Sequence, residues 1–403
     1  MIPDPVTQDG GIPAHSDEHT QAEHGSTVHR LLPHPAPVRL LDENGQRVDA
    51  HPDYPLPPAA DLLAAYRAMV IGRRFDRQAC VLALQGRIAA FPSSEGQEAC
   101  QVGAAQALAS TDWLFPTYRD STALLTRGID PIDVLAPVRG RVHCGYNPYD
   151  HRCAPMTTPL ATQALHAVGL AAAAARDHEP TVALALVGDG ATSEGDFHEA
   201  LNFAAVFRAP VVLLVQNNRY AISVPLARQS AAPALAYKGV GYGVRAEQVD
   251  GNDVAAVLAV LRVAVERARG GDGPMLVEAH TYRLAAHTTA DDPSRYRDPA
   301  ETARWRTRDP LVRLRTYLRT AGLLDDHDDD AISAQAEELA AGVRAGVGEP
   351  AAGGPADLFT HVYAQPPATL AEQRHEAEQA AFARLDVTTE PASGVTSGRG
   401  TRR

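Results

Sequence analysis

Lysine is almost missing from this chain. Lys238 is its sole example, although lysine and arginine together number 37. One lysine argues against Walker-type nucleotide binding and against lysine Schiff-base chemistry. It also argues against a lipoyl carrier, which needs an exposed lysine on a small domain of its own. Cysteine is scarce as well. Cys80, Cys100, Cys144 and Cys153 show no CxxC spacing, and they read as ordinary thiols in a reduced, cytoplasmic setting. No apolar run approaches the length of a bilayer span. The polar N-terminus, with its His, Asp and Pro, lacks the apolar stretch of a signal peptide. A net charge of -12 argues against nonspecific nucleic-acid binding. No internal repeat is visible. What remains is a chain of 403 residues, long enough for a large core.

The most informative stretch lies mid-chain. Thr181 to Val187 is a continuous apolar run of strand length, as expected of a strand buried on both faces of a parallel sheet. Gly188-Asp189-Gly190 follows. Ser193 to Asp196 has the form of a capping box, with Asp196 in place of the usual Glu. Ala200, Phe203, Ala204 and Phe207 continue at helical spacing, and Pro210 to Val215 is a second apolar run that ends close to Asn217-Asn218. This predicts a right-handed βαβ unit with parallel strands. Asp189 and Asn218 then leave the same sheet edge side by side, where open α/β sheets bind ligands. Their oxygens suit a hard cation, chiefly Mg²⁺. Gly188 and Gly190 allow close backbone approach and offer N–H donors to phosphate. The reading is a Mg²⁺–diphosphate cofactor.

Other segments are less decisive alone. Residues 1–37 are polar and Pro-rich and are expected to be a disordered arm. Ala59 to Leu84 and Gly96 to Leu108 read as helices. Thr162 to Ala175 reads as a small-residue helix that could pack on a partner or inside the core. Asn252 or Asp253 caps a helix running to about Arg269. Pro274 to Glu278 reads as another buried strand, and Pro310 onward as helical. Gly140 to Pro155 and Ala285 to Arg297 read as loops, and the tail past Val387 as disordered. Tyr118-Arg119 alone is an ordinary surface or packing pair. Thr157-Thr-Pro-Leu-Ala-Thr-Gln163 fits a helix start, with threonine as cap and Pro159 in the first turn. A lone His287 in a polar loop is usually solvated.

Together, Gly188-Asp189-Gly190 and Asn217-Asn218 resemble the thiamine diphosphate fingerprint of the 2-oxo acid dehydrogenases. From about Leu40 to about Leu370 the chain resembles the α subunit of their heterotetrameric E1 component. The resemblance implies an α/β thiamine diphosphate-binding fold, a mostly parallel sheet flanked by helices. It divides the chain into an arm at 1–37, an E1 α domain at 38–370 and a C-terminal helix and tail at 371–403. It implies Mg²⁺ on Asp189, Asn218 and the Tyr220 carbonyl. Cofactor contacts are implied at Tyr118, Arg119, Thr158, Leu160, Gly188, Asp189, Gly190, Ala191, Asn218 and His287. In branched-chain members, the positions matching Thr157, Pro159, Thr162 and Gln163 hold K⁺. His287 matches the active-site histidine of a loop whose Asp-Asp-Pro-x-Arg-Tyr-Arg pattern recurs here from Asp291 to Arg297. Animal relatives place a phosphoserine where this chain has Thr288.

The implied activity is decarboxylation of a 2-oxo acid and acyl transfer to the lipoyl group of an E2 acyltransferase. A separate E1 β subunit would complete an α₂β₂ heterotetramer, supplying the glutamate that faces the aminopyrimidine. Val249 to Asp253, Pro159 to Gln163 and Ala221 to Pro225 look most like branched-chain enzymes. Pyruvate or acetoin dehydrogenase E1 α is the alternative, and a noncatalytic assembly subunit of the same fold is the non-enzyme one. Animal branched-chain relatives carry Arg directly before the double Asn. This chain has Gln216 there and Arg219 after the pair.

Overall fold

In the computed structural model, the two long apolar runs form the centre of a five-stranded, wholly parallel sheet. The model describes residues 30–141, 143–348, 354–360 and 362–389. The strands are β1 (Trp113–Phe115), β2 (Ala183–Gly188), β3 (Val211–Asn217), β6 (Arg245–Asp250) and β7 (Met275–His280), in the spatial order β1-β2-β3-β7-β6. A small antiparallel pair, β4 (Tyr220–Ala221) and β5 (Val224–Pro225), follows β3. Alternate residues of β2 and β3 enter two different cores. Leu184, Leu186, Val212 and Leu214 face one, with helices Ala59–Leu84, Glu98–Ala107 and Val254–Arg269; Ala183, Ala185, Val187, Val211 and Val215 face the other, with helices Thr162–Arg176 and Gly195–Phe207. This two-sided cover explains why both strands are apolar throughout.

Helix Ala59–Leu84 and strands β2, β3 and β7 form close to where the sequence places them. Asp253 is the cap of helix Val254–Arg269, accepting from the Ala255 and Ala256 amides. Helix Thr162–Arg176 turns Ala164, Ala167, Val168, Ala171 and Ala174 into the core. Strands β1 and β6 were not anticipated. β1 is only three residues long. β6 contains Glu247 and Asp250, whose burial depends on distant partners: Tyr54 and His34 bond Glu247, while Arg39 and Arg313 bond Asp250. Val38, the first residue of the expected domain, pairs with Val249, and His34 of the expected arm reaches Glu247 on the same strand. Most of that arm, and the tail past residue 389, lie outside the described residues.

Two local expectations need correction. Ser193 does not open a capping box: it closes a 3₁₀ turn, Gly190–Ser193, and helix Gly195–Phe207 starts after Glu194 with no side-chain cap. Ala200 and Ala204 are buried as their spacing implies, but Phe203 and Phe207 are 44% and 55% exposed, tilted against each other at 5.5 Å. Among the described residues, no helix is long and apolar enough to cross a membrane.

Candidate functional site

The parallel register places Gly188 opposite Gln216. Asp189 and the double asparagine therefore emerge as neighbours at the carboxyl edge of the sheet. Asp189 is 1% exposed. Burial pushes its pKa up; the Gln229 amide, donating at 2.8 Å, nearby main-chain N–H groups including that of Asn218, and the Arg283 charge oppose this. The 3₁₀ turn after Asp189 is pinned twice. Thr192 Oγ1 donates to the Asp189 carbonyl at 2.8 Å, and Lys238 Nζ reaches Thr192 O at 2.7 Å and its Oγ1 at 3.0 Å. A Cβ on Gly190 would come within 2.6 Å of the Ala221 Cβ, whereas one on Gly188 would meet nothing within 4 Å. Glycine is thus enforced at position 190 by packing, and open space lies beside Gly188. Ala191 is buried in the same turn.

Asn218 donates its Nδ2 to Gln97 Oε1 at 2.9 Å and accepts the Tyr220 amide on Oδ1 at 3.2 Å. The backbone beyond it is strained. Arg219 and Ile222 both hold positive φ, at 78° and 53°, and non-glycine residues in that region cost about 1–3 kcal/mol each and gather at functional sites. The Tyr220 carbonyl accepts from Arg283 Nη1 at 3.1 Å. A carbonyl has a second lone pair, so this bond leaves it an acceptor site.

Arg119 and His287 meet here. Arg119 is buried; it donates through Nη1 to Ser93 O at 2.8 Å and through Nη2 to His287 Nδ1 at 3.0 Å. A guanidinium only donates, so Nδ1 accepts and the neutral imidazole carries its proton on Nε2. Burial first, then the Arg119 and Arg283 charges, lower the His287 pKa to about 4. The ring is therefore neutral at pH 7. Tyr118 lies edge-on to it at 6.2 Å, with the Arg119 guanidinium 5.6 Å from the Tyr118 ring centre. Behind the histidine, Asp291 accepts the His287 amide at 2.8 Å and the Tyr296 hydroxyl at 2.5 Å, and Arg283 donates to the Tyr296 oxygen at 3.1 Å. These bonds hold the loop in place.

The 157–163 segment joins this group through Tyr118, whose amide donates to Thr157 O at 3.1 Å. Thr158, Pro159 and Leu160 are exposed, Leu160 to 44%. Contrary to the expected threonine cap, Ala161, with a left-handed φ of 65°, immediately precedes helix Thr162–Arg176, which has no side-chain cap, and Pro159 lies before its first turn. Thr162 Oγ1 reaches Asp196 at 3.5 Å. Gln163 is buried, donating to Leu186 O at 2.7 Å, and its Oε1 has no hydrogen-bond partner. A buried carbonyl oxygen without a donor is costly and suits a cation.

Four residues of the site were not foreseen. Gln97 and Gln229 touch Asn218 and Asp189 from distant segments, and no local pattern announces them. Arg283 offered a signal, a charged residue three positions after the end of β7 and four positions before His287. Gln216 was noted only as a missing arginine. It faces inward, donating to Asp120 at 2.7 Å and accepting from Gln97 at 3.0 Å. The Arg219 guanidinium lies 5.8 Å from the Trp305 ring centre.

Residues 66–342 match the family described as "Dehydrogenase E1 component". The chain belongs to that family. It is 47% identical over 350 residues to the 3-methyl-2-oxobutanoate dehydrogenase subunit alpha of Mycobacterium tuberculosis strain H37Rv, covering 87% of this chain and 95% of that one. It is 37% identical to the pyruvate dehydrogenase E1 component subunit alpha of Acholeplasma laidlawii, covering 83% of this chain and 97% of that one. The Staphylococcus aureus N315 counterpart of the latter is 36% identical, with 76% and 83% covered. The resemblance to an E1 α chain of a 2-oxo acid dehydrogenase thus extends over most of the relatives' length.

The family implies thiamine diphosphate, and the site's residues fit that group. A buried carboxylate faces a strand end with open space beside Gly188, and two buried guanidinium groups converge on one uncharged histidine. Among the described residues, no group of three or more His, Cys, Asp or Glu could hold a metal. An ion here would rest on one carboxylate with amide and main-chain oxygens, a donor set suited to Mg²⁺ that keeps phosphate ligands.

Proposed function

We propose that this chain is the α subunit of a cytoplasmic E1 enzyme that decarboxylates a branched-chain 2-oxo acid and passes the acyl group to the lipoyl group of E2. The observation that carries the reading is the convergence of Asp189, Asn218, Arg119 and His287 at one sheet edge, joined to 47% identity with a 3-methyl-2-oxobutanoate dehydrogenase α subunit. Bound thiamine diphosphate would supply a nucleophilic carbon and a ring that takes up the electrons left by CO₂.

The chain's own residues would bind, orient and move protons. Asp189, the Asn218 amide oxygen and the Tyr220 carbonyl would hold Mg²⁺. Main-chain N–H groups of the turn at Gly188, Gly190 and Ala191 would face phosphate oxygens. Arg119 would give diphosphate a charge-assisted contact. His287, protonated on Nε2, would donate that proton toward developing negative charge and take it back during acyl transfer. Tyr118, Thr158 and Leu160 would border the remainder of the cofactor. Thr157, Pro159, Thr162 and Gln163 would hold K⁺, a role supported by the unpartnered Gln163 Oε1. The E1 β subunit would complete the site in an α₂β₂ assembly.

Pyruvate is the second reading, favoured by the relatives from Acholeplasma and Staphylococcus. Turnover of the chain purified with its β partner, on 3-methyl-2-oxobutanoate against pyruvate and acetoin, separates the readings. We expect the branched substrate to give the highest kcat/KM. A preference for pyruvate or acetoin would overturn the substrate assignment, and failure to bind thiamine diphosphate would leave a noncatalytic assembly role.

A further inference from the structure

A one-way chain of buried hydrogen bonds ends on Asn218. It starts at Asp120, whose Oδ2 accepts the Thr117 amide at 2.7 Å and the Thr117 hydroxyl at 2.8 Å. Its Oδ1 accepts Gln216 Nε2 at 2.7 Å. Gln216 Oε1 then accepts Gln97 Nε2 at 3.0 Å, and Gln97 Oε1 accepts Asn218 Nδ2 at 2.9 Å. All four side chains are buried.

A primary amide has one accepting and one donating end, and the two are alike in shape. Nothing steric therefore chooses between an Asn218 that turns oxygen outward and one that turns NH₂ outward. An ionised carboxylate, in contrast, only accepts. Asp120 therefore forces Gln216 to point its NH₂ inward. Gln216 then forces the orientation of Gln97, and Gln97 that of Asn218. The Tyr220 amide, donating to Asn218 Oδ1 at 3.2 Å, demands the same orientation, and that oxygen keeps a second lone pair for a cation. Reversing any one amide would set two acceptors or two donors against each other in a buried place, where unpaired polar groups are costly.

We propose that Asp120 is a positioning residue which, through Gln216 and Gln97 and together with the Tyr220 amide, fixes the amide orientation of Asn218, so that an oxygen and not an NH₂ group meets the metal. The inference rests on the reading above, in which Asn218 helps to hold Mg²⁺. It gives Gln216 a role: the residue that takes the place of a phosphate-binding arginine serves here as the middle of a relay.

The relay makes a specific demand on Asp120→Asn. Thr117 donates to one carboxylate oxygen through its main-chain amide, so that position must stay an oxygen. The new NH₂ would then face Gln216 and reverse Gln216 and Gln97 in turn, so that Asn218 either meets the Gln97 NH₂ with its own or reverses and sets its NH₂ against the Tyr220 amide. Asn218→Asp alone would place a carboxylate oxygen against Gln97 Oε1. In the double variant the reversed Gln97 would donate to that carboxylate, and either of its oxygens would suit a cation.

The test uses the full-length chain purified with its β partner, Mn²⁺ as the probe for Mg²⁺, and thiamine diphosphate at saturation. Free Mn²⁺ is read by electron paramagnetic resonance, and melting temperatures of the apo proteins are measured alongside. Each single variant should weaken Mn²⁺ binding by about 10–100-fold, the usual range for losing a group that orients a metal ligand. The double variant should recover most of that loss. Unchanged affinity in Asp120→Asn, or a double variant no tighter than the weaker single one, would overturn the proposal. If the parent enzyme fails to hold Mn²⁺ with the cofactor, the cofactor reading itself falls, and the relay's role with it. Should Asp120→Asn prove too unstable to purify, Gln97→Leu replaces it. That change should weaken Mn²⁺ binding in the parent and strengthen it in the Asn218→Asp background, where it removes a repulsion; the same direction of change in both would overturn the proposal.

Discussion

His287 is held uncharged by its surroundings, and that has a measurable cost. Its ordinary pKa is 6.5 and its folded value is about 4, owing to burial and then to Arg119 and Arg283. As pH falls from 6.5 toward 4, the unfolded chain takes up a proton that the folded chain refuses. Stability therefore declines through that window and is unaffected by this group above it. His287→Gln should flatten the decline, seen as a smaller difference between melting temperatures at pH 7 and pH 5 in the apo protein. An equal difference would mean that other groups set it. In the assembled enzyme, His287→Ala should lose acyl transfer by about 10²–10⁴-fold, as acid–base groups commonly do, with little loss of cofactor affinity. Asp189 stands at the opposite extreme. Asp189→Ala removes the one buried carboxylate at the strand end, and calorimetry should show that Mg²⁺-dependent cofactor binding is lost while the fold remains. Cofactor affinity that stays metal-dependent and unchanged would refute its assignment as a ligand.

At the scale of elements, legibility followed the reach of the interactions. β2, β3 and β7 were visible because two-sided burial demands unbroken apolar runs. β6 was not, because Arg245, Glu247, Gln248 and Asp250 look like loop residues until Tyr54, His34, Arg39 and Arg313 are brought to them across the fold. Ser193 was misread because the pattern of a capping box says nothing of the 3₁₀ turn that precedes the helix. Asp189, Asn218, Arg119 and His287 were named from motifs and do share one edge. Arg283, Gln97 and Gln229 were hidden, since each acts on a residue far away in sequence. The loop at 285–297 belongs to both groups. Its pattern was visible, yet its order depends on Arg283, Arg297 and Phe91, the last accepting the Thr289 amide on its carbonyl at 3.0 Å. Hydrogen exchange should show this segment gaining protection when thiamine diphosphate and Mg²⁺ are added. Equal protection with and without them would separate the loop from the cofactor.

For the whole molecule, the described residues form one parallel sheet, at one edge of which Asp189, Asn218, Arg119 and His287 gather, and no second parallel sheet among them. The E1 family match is confined to residues 66–342, and the elements beyond it are helices. The resemblance assigns the glutamate that faces the aminopyrimidine ring to the β subunit, so this chain is expected to decarboxylate nothing alone. Activity should appear when a β-type subunit is co-expressed, in keeping with the two-fold symmetry usual in oligomers. The assay is CO₂ release from 2-oxo acids by the purified chain against the mixture; comparable rates would refute a shared site.

Lys238 carries a last consequence. Its ammonium is bonded to both oxygens of Thr192, and burial lowers its pKa. Because it is the chain's one ε-amine, acetylation, succinylation and amine-coupling cross-linkers have a single side-chain target in this subunit, and that target is the prop beneath the turn that carries Asp189. Covalent chemistry that silently decorates most proteins would here be either absent or disabling.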